Sequence, residues 1–116
     1  MKTTLGLDFG TESVRALLVS VDGTELACAS APYIHGQITQ RLPGNPQPLP
    51  PHYALQHPLD WPAAAANATQ AALREAGLPG SAVAGIGVDF TSCTMLPTLR
   101  DGTPLCLRTR RARGSA

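Results

Sequence analysis

The stretch Leu5-Gly6-Leu7-Asp8-Phe9-Gly10-Thr11-Glu12-Ser13-Val14-Arg15-Ala16-Leu17-Leu18 decides how the chain is read. From Thr4 to Phe9 the residues alternate, with Leu5, Leu7 and Phe9 on one face and Thr4, Gly6 and Asp8 on the other. This period of two predicts a short strand that ends at a carboxylate. Gly10 to Ser13 interrupts the pattern. Val14 to Val21 resumes it, apolar throughout Ala16-Leu17-Leu18-Val19 as a strand covered on both faces would be. The unit is strand, tight turn, strand.

Outward from it, Asp22-Gly23 is a strong hairpin signal, and Thr24 to Tyr33 supplies a third strand of weaker pattern. Seven of the eleven prolines, at positions 43, 46, 48, 50, 51, 58 and 62, then crowd into residues 43–62. Each removes a backbone donor, so this stretch reads as a loop. After it a helix is expected over about residues 61–76, with Asp60 as its cap, Pro62 harmless in the first turn, and Gly77 and Pro79 ending it. Its expected inner stripe is Trp61, Ala65, Ala68, Ala72 and Ala76, mostly alanine, which lets a helix approach a sheet closely.

Gly85-Ile86-Gly87-Val88-Asp89-Phe90 is another strand ending at a carboxylate. It matches Leu5-Gly6-Leu7-Asp8-Phe9 in residue type at five consecutive positions. Each copy is followed by a turn containing Thr and Ser, an apolar stretch and an Asp-Gly-Thr, at Asp22-Gly23-Thr24 and Asp101-Gly102-Thr103. These features make an internal repeat credible. The expected order is β-β-β-α-β-β, an α/β sheet domain with an antiparallel start.

The 116 residues, 43% hydrophobic and 15% charged, suit one domain or a piece of one, with a core large enough to need no disulfide or metal. Cys28, Cys93 and Cys106 are odd in number and far apart, with no C-x-x-C pair, so free thiols in a reducing cytoplasm are expected. No apolar run reaches a membrane-spanning length, and Met1-Lys2-Thr3-Thr4 leads straight into the first strand without a signal-peptide core. The Asn67-Ala68-Thr69 sequon falls in the helix and reads as chance. Residues 1–107 carry five basic and eight acidic side chains, a balance of −3, while Arg108, Arg110, Arg111 and Arg113 place +4 in the last nine residues. That tail has no lysine and no interleaved aromatic, so neither nucleic acid nor membrane is expected as a partner. Its abrupt change of composition reads as an out-of-frame or premature end, with a domain segment over residues 1–107 and a tail over 108–116.

The residues with chemistry in them begin at Asp8. A glycine turn after a strand-end carboxylate can offer backbone N–H groups to phosphate oxygens, while the carboxylate holds a hydrated Mg²⁺ directly or through water. No Walker lysine is present, and no helix follows as a dinucleotide fingerprint requires. The alternative is an ordinary hairpin whose Asp caps its own turn. For Cys93 the plainer reading is a small buried thiol without reactivity. His57 serves equally as a pocket rim or as a structural prop for the loop, and His35 and His52 show no partner.

Leu5 to Leu18, with its Asp8-Phe9-Gly10-Thr11-Glu12-Ser13-Val14-Arg15 core, resembles the amino-terminal phosphate motif of the FGGY carbohydrate kinases, in particular their ribulokinase branch. Ala54-Leu55-Gln56-His57-Pro58 and Gly85 to Pro97 agree with the same family, in the same order. The resemblance covers residues 4–107. It implies part of an actin-like ATPase, ribonuclease H-like domain, and ATP-dependent phosphorylation of a ribulose-type ketopentose at its terminal hydroxyl with Mg²⁺. Carried over by position, Asp8, Gly10, Thr11 and Arg15 belong to the phosphate and metal end of the ATP site, with Asp8 toward the metal. Asp89, Thr91, Ser92 and Cys93 begin the sugar pocket, with Ser92 the foremost substrate contact and Gln56 at the rim. Glu12, an acid beside phosphates, has no assigned role. The family's catalytic Asp base and adenine-binding residues lie later in its chains, and residues 108–116 do not resemble that continuation. The chain alone is therefore expected to be inactive. The competing readings are a segment of another actin-like ATPase or FGGY sugar kinase, and a non-catalytic product whose exposed strand edges associate.

Overall fold

The computed structural model describes residues 2–108. Four strands and one helix form in the order β1 (Thr3–Phe9), β2 (Ser13–Ser20), β3 (Glu25–Pro32), α1 (Asp60–Ala76) and β4 (Val83–Phe90). The sheet order is β3-β2-β1-β4. The three opening strands form an antiparallel meander, with Leu5 opposite Leu18, Asp8 opposite Arg15 and Leu17 opposite Cys28. β4 then lies parallel to β1, which demands a long crossover, and the proline-rich loop and α1 supply it.

The parallel pairing sets the two copies of the repeat side by side. Leu5 faces Ile86, Gly6 faces Gly87, Leu7 faces Val88, Asp8 faces Asp89 and Phe9 faces Phe90. The two phenylalanine rings stack with centroids 4.2 Å apart and planes 3° from parallel. The second half of the repeat agrees as a turn but not as a strand. At each Asp-Gly-Thr the glycine takes a left-handed φ, 93° at Gly23 and 90° at Gly102. In each the threonine N–H donates to the aspartate side chain, at 3.1 Å for Asp22 and 2.9 Å for Asp101. The expected fifth strand is absent among the described residues; only the isolated bridge Thr98–Pro104 marks it. Pro97 and Pro104 explain this, since proline cannot complete a ladder.

α1 lies across β2 and β3 and barely reaches β1. Val14, Ala16 and Leu18 are wholly buried beneath it, joined by Leu5, Phe9, Ala27 and Ala31. Its buried stripe is Ala64, Ala68 and Ala72. The expected stripe is thus rotated, with Ala64 inward and Trp61, Ala65 and Ala76 only partly buried. Trp61 is too large for the close alanine contact, and instead turns its edge toward Phe90 at 6.3 Å. Full burial of Val14 and Leu18 stabilises the fold by roughly 1.5–3 kcal/mol each.

Two further expectations are corrected. β2 is fully covered on one face only, since Leu17 and Val19 on its other face stay partly exposed. Asp60 does not cap α1: the cap position is Leu59, with no side-chain bond to the helix. The other end conforms, with Gly77 left-handed at φ 66° and donating its N–H to the Arg74 carbonyl. Because α1 stops short of β4, Ile86, Val88 and Phe90 are 62%, 56% and 50% exposed. No helix among the described residues is long and apolar enough to cross a membrane. Of the basic tail only Arg108 is described; Arg110, Arg111 and Arg113 lie outside the described residues.

Candidate phosphate-binding edge

β1 and β4 run parallel, so the turns that follow Phe9 and Phe90 leave the sheet at the same end, where α/β sheets bind their ligands. Asp8 and Arg15 face each other across β1 and β2. Arg15 donates from Nη2 at 2.6 Å and from Nε at 3.0 Å, both to Oδ2 of Asp8. The hydrogen bond to Asp8, and then its charge, raise the Arg15 pKa above its ordinary value and keep the guanidinium charged. Both side chains are about half exposed, so the pair contributes little to stability and is open to a ligand. Oδ1 of Asp8 accepts no protein hydrogen bond among the described residues.

The turn beyond is closed by Gly10 N–H donating to the Ser13 carbonyl at 2.8 Å. A Cβ at Gly10 would lie 3.1 Å from Arg15 Nη2 and 3.2 Å from the Ser13 oxygen, so only glycine fits there without displacement. Three successive carbonyls are tied down. The Tyr33 hydroxyl donates to the Gly10 oxygen at 2.9 Å, Gln56 Nε2 to the Thr11 oxygen at 2.8 Å and Tyr33 N–H to the Glu12 oxygen at 2.9 Å. Burial first, then the field of Asp8, holds the Tyr33 hydroxyl pKa above its usual value, against the opposing charge of Arg15, so it is a donor at neutral pH.

On the sheet face away from α1, the adjacent glycines Gly6 and Gly87 leave a trough of about 490 Å³. Leu17 and Cys28 flank it, and Asp8, Arg15 and Asp89 line it too. Asp8 and Arg15 thus share one trough with Asp89 of the second motif. Thr91, Ser92 and Cys93 are not in the trough; they form the turn after β4, where the Thr91 and Thr94 hydroxyls bond at 2.6 Å. Cys93 is exposed, not buried, and holds a left-handed φ of 62°. All three cysteines are free thiols. Gln56 is spent on the Thr11 carbonyl, and His57 stacks on His35 with ring centroids 4.5 Å apart. His35 therefore has partners after all, since its ring Nδ1 also lies 2.9 Å from Asp60 Oδ1. Sequence reasoning missed the roles of Tyr33, His35 and Asp60; the one local signal was a carboxylate at a helix start three residues after His57.

Compared with known proteins, the chain is 47% identical over 107 residues to the ribulokinase of Anoxybacillus flavithermus, covering 92% of this chain and 19% of that protein. The ribulokinase of Halalkalibacterium halodurans is 49% identical over 107 residues, covering 91% and 19%. Over most of its length the chain is thus similar to ribulokinases. It corresponds to their amino-terminal segment and spans about one fifth of their length. Among solved structures, a xyloylose kinase from Brucella ovis superposes with a TM-score of 0.72 at 24% identity, covering 89% of this chain and 19% of that one. That likeness bears on the fold alone. No family profile matches the chain.

Proposed function

We propose that this chain forms the phosphate-facing edge of a sugar kinase that transfers the γ-phosphoryl group of ATP to the terminal hydroxyl of a ribulose-type ketopentose. The supporting observation is the Asp8–Arg15 pair set beside a glycine turn whose three carbonyls are bound from behind. ATP and Mg²⁺ fit the residues present. Asp8 keeps Oδ1 for a metal or its water, Arg15 supplies a fixed positive charge, and Gly10, lacking a Cβ, lets Arg15 and the Ser13 carbonyl come close. Bound there, the metal would neutralise phosphate charge. In phosphoryl transfer the protein mostly positions groups and balances charge, which is what these residues are suited to do. Thr11 belongs to the same turn. Asp89, Thr91, Ser92 and Cys93 would border the sugar, with Ser92 foremost and Gln56 holding the turn between.

In the reaction the sugar oxygen bonds to the γ-phosphorus, the bond to the β–γ bridging oxygen breaks, and the hydroxyl proton passes to a base. None of the proposed site residues here is assigned as that base, so the 116-residue chain is expected to show no turnover with L-ribulose and MgATP. A coupled assay for ADP and L-ribulose 5-phosphate tests this, and measurable phosphorylation would sink the division of labour. Binding of inorganic tripolyphosphate, followed by amide shifts at residues 10–13, tests the site itself. Absence of shifts there would remove the phosphate role. A second reading, association without catalysis, is favoured by the bare Ile86, Val88 and Phe90 of β4. The intracellular, cytoplasmic setting and the boundary between residues 107 and 108 are part of the same proposal.

A further inference from the structure

Asp60 is 5% exposed and stands at the start of α1, yet it gives no hydrogen bond to its own helix. Its carboxylate serves the loop instead. Oδ2 accepts the His35 backbone N–H at 3.0 Å, and Oδ1 lies 2.9 Å from His35 Nδ1, which carries the proton because an ionised carboxylate only accepts. The Asp60 backbone N–H donates to the His57 carbonyl at 3.0 Å, and the His57 ring stacks on His35, 12° from parallel. One residue therefore fastens two chain segments. The first, two residues before His35, includes Tyr33, which holds the Gly10 and Glu12 carbonyls. The second includes Gln56, beside His57, which holds the Thr11 carbonyl.

We propose that Asp60 and His35 are positioning residues for the Gly10–Ser13 turn, acting through Tyr33 and Gln56 to hold it in its phosphate-binding shape. The proposal rests on the phosphate role given above for that turn. A helix start normally uses its acidic side chain on its own orphan N–H groups. Here that use is given up in favour of the loop, which is the mark of a fastening. The same three side chains place possible ligand atoms within 4.8 Å of one another, but the stacked rings are poorly disposed to share one ion. The near-parallel stacked rings keep their in-plane lone pairs in two separate planes rather than bringing them to one point. His35 Nδ1 is engaged by Asp60, and His57 Nδ1 accepts the Leu59 N–H at 3.2 Å.

The test compares the 116-residue chain with His35→Ala, His35→Asn and Asp60→Asn by amide hydrogen exchange and by titration with inorganic tripolyphosphate. The Asn side chain at position 35 can restore the donor that Nδ1 provides. In His35→Ala and Asp60→Asn, exchange at the Gly10 and Tyr33 amides should rise about ten-fold while Ala16 and Leu18 in central β2 are unchanged. Tripolyphosphate binding should weaken about five-fold in parallel, and His35→Asn should recover most of both effects. The positioning role is overturned if the Gly10 and Tyr33 amides keep their protection in His35→Ala, if all amides accelerate together, or if His35→Asn rescues nothing. If the wild-type chain shows no tripolyphosphate shifts but the turn loosens as described, the fastening stands and the phosphate reading fails.

Discussion

Gly10 carries the tightest steric demand among the described glycines. Its missing Cβ is what lets Arg15 Nη2 and the Ser13 carbonyl come close, and the carbonyl is backbone that cannot swing aside. Gly10→Ala should push Arg15 off Asp8 and open the turn, at about 1–2 kcal/mol of stability. Tripolyphosphate affinity, read by calorimetry, should fall about ten-fold, corresponding to about 1.4 kcal/mol. Unchanged affinity would show that Arg15 and the turn do not act together. Asp22 and Asp101 make a second case at this scale. Asp22 has its pKa lowered, first by the Ser20 hydroxyl and then by the Thr24 N–H, and Asp101 first by the Thr103 N–H. Depressed folded-state values mean that each turn's contribution is fully present above the ordinary aspartate value of 3.8 and is lost as pH falls through the lower folded one. Carbonyl-carbon NMR titration should place both midpoints below the ordinary value. A midpoint at or above it for either would contradict the shared turn geometry.

At the scale of elements, α1 and the sheet meet through alanines. Ala68 and Ala72 are wholly buried against β2 and β3, so the interface has close backbone approach and little spare volume. Ala68→Leu should overpack it and cost about 1–3 kcal/mol, seen as a lower urea midpoint with unchanged slope. Equal stability would mean that the helix can lift from the sheet freely. The helix itself was legible in the sequence: Gly77 after the last turn and Pro62 in the first bracketed it. Its facing was not, because alanines at 64, 65, 68, 72 and 76 satisfy more than one stripe, and only the position of Trp61 against Phe90 selects among them. Asp60 misled for a related reason. A carboxylate at a helix start looks like a cap from the sequence, but which N–H groups it meets depends on the loop that returns past it.

Across the whole molecule the sheet is covered unevenly. α1 shields β2 and β3, whereas β4 is an eight-residue edge strand with Ile86, Val88 and Phe90 bare and no proline or lysine to blunt it. Such an edge pairs with other chains. Sedimentation of the 116-residue chain should show concentration-dependent association, and Val88→Lys should suppress it. A wild-type chain that stays monomeric at high concentration would count against the association reading.

Four of the five expected strands, the turn at Gly10 and the two Asp-Gly-Thr turns were set by the sequence alone, because alternation, glycine and short-range hydrogen bonds act within a few residues. The five-residue repeat was also visible there. That its copies are neighbours in parallel register, bringing Asp89 beside Asp8, was decided only by the fold, since pairing depends on a crossover of fifty residues between Pro32 and Val83. The roles of Tyr33, His35, Gln56 and Asp60 were likewise decided by tertiary structure. Each bonds a group 20 or more residues away in sequence, and no local pattern encodes a contact of that range.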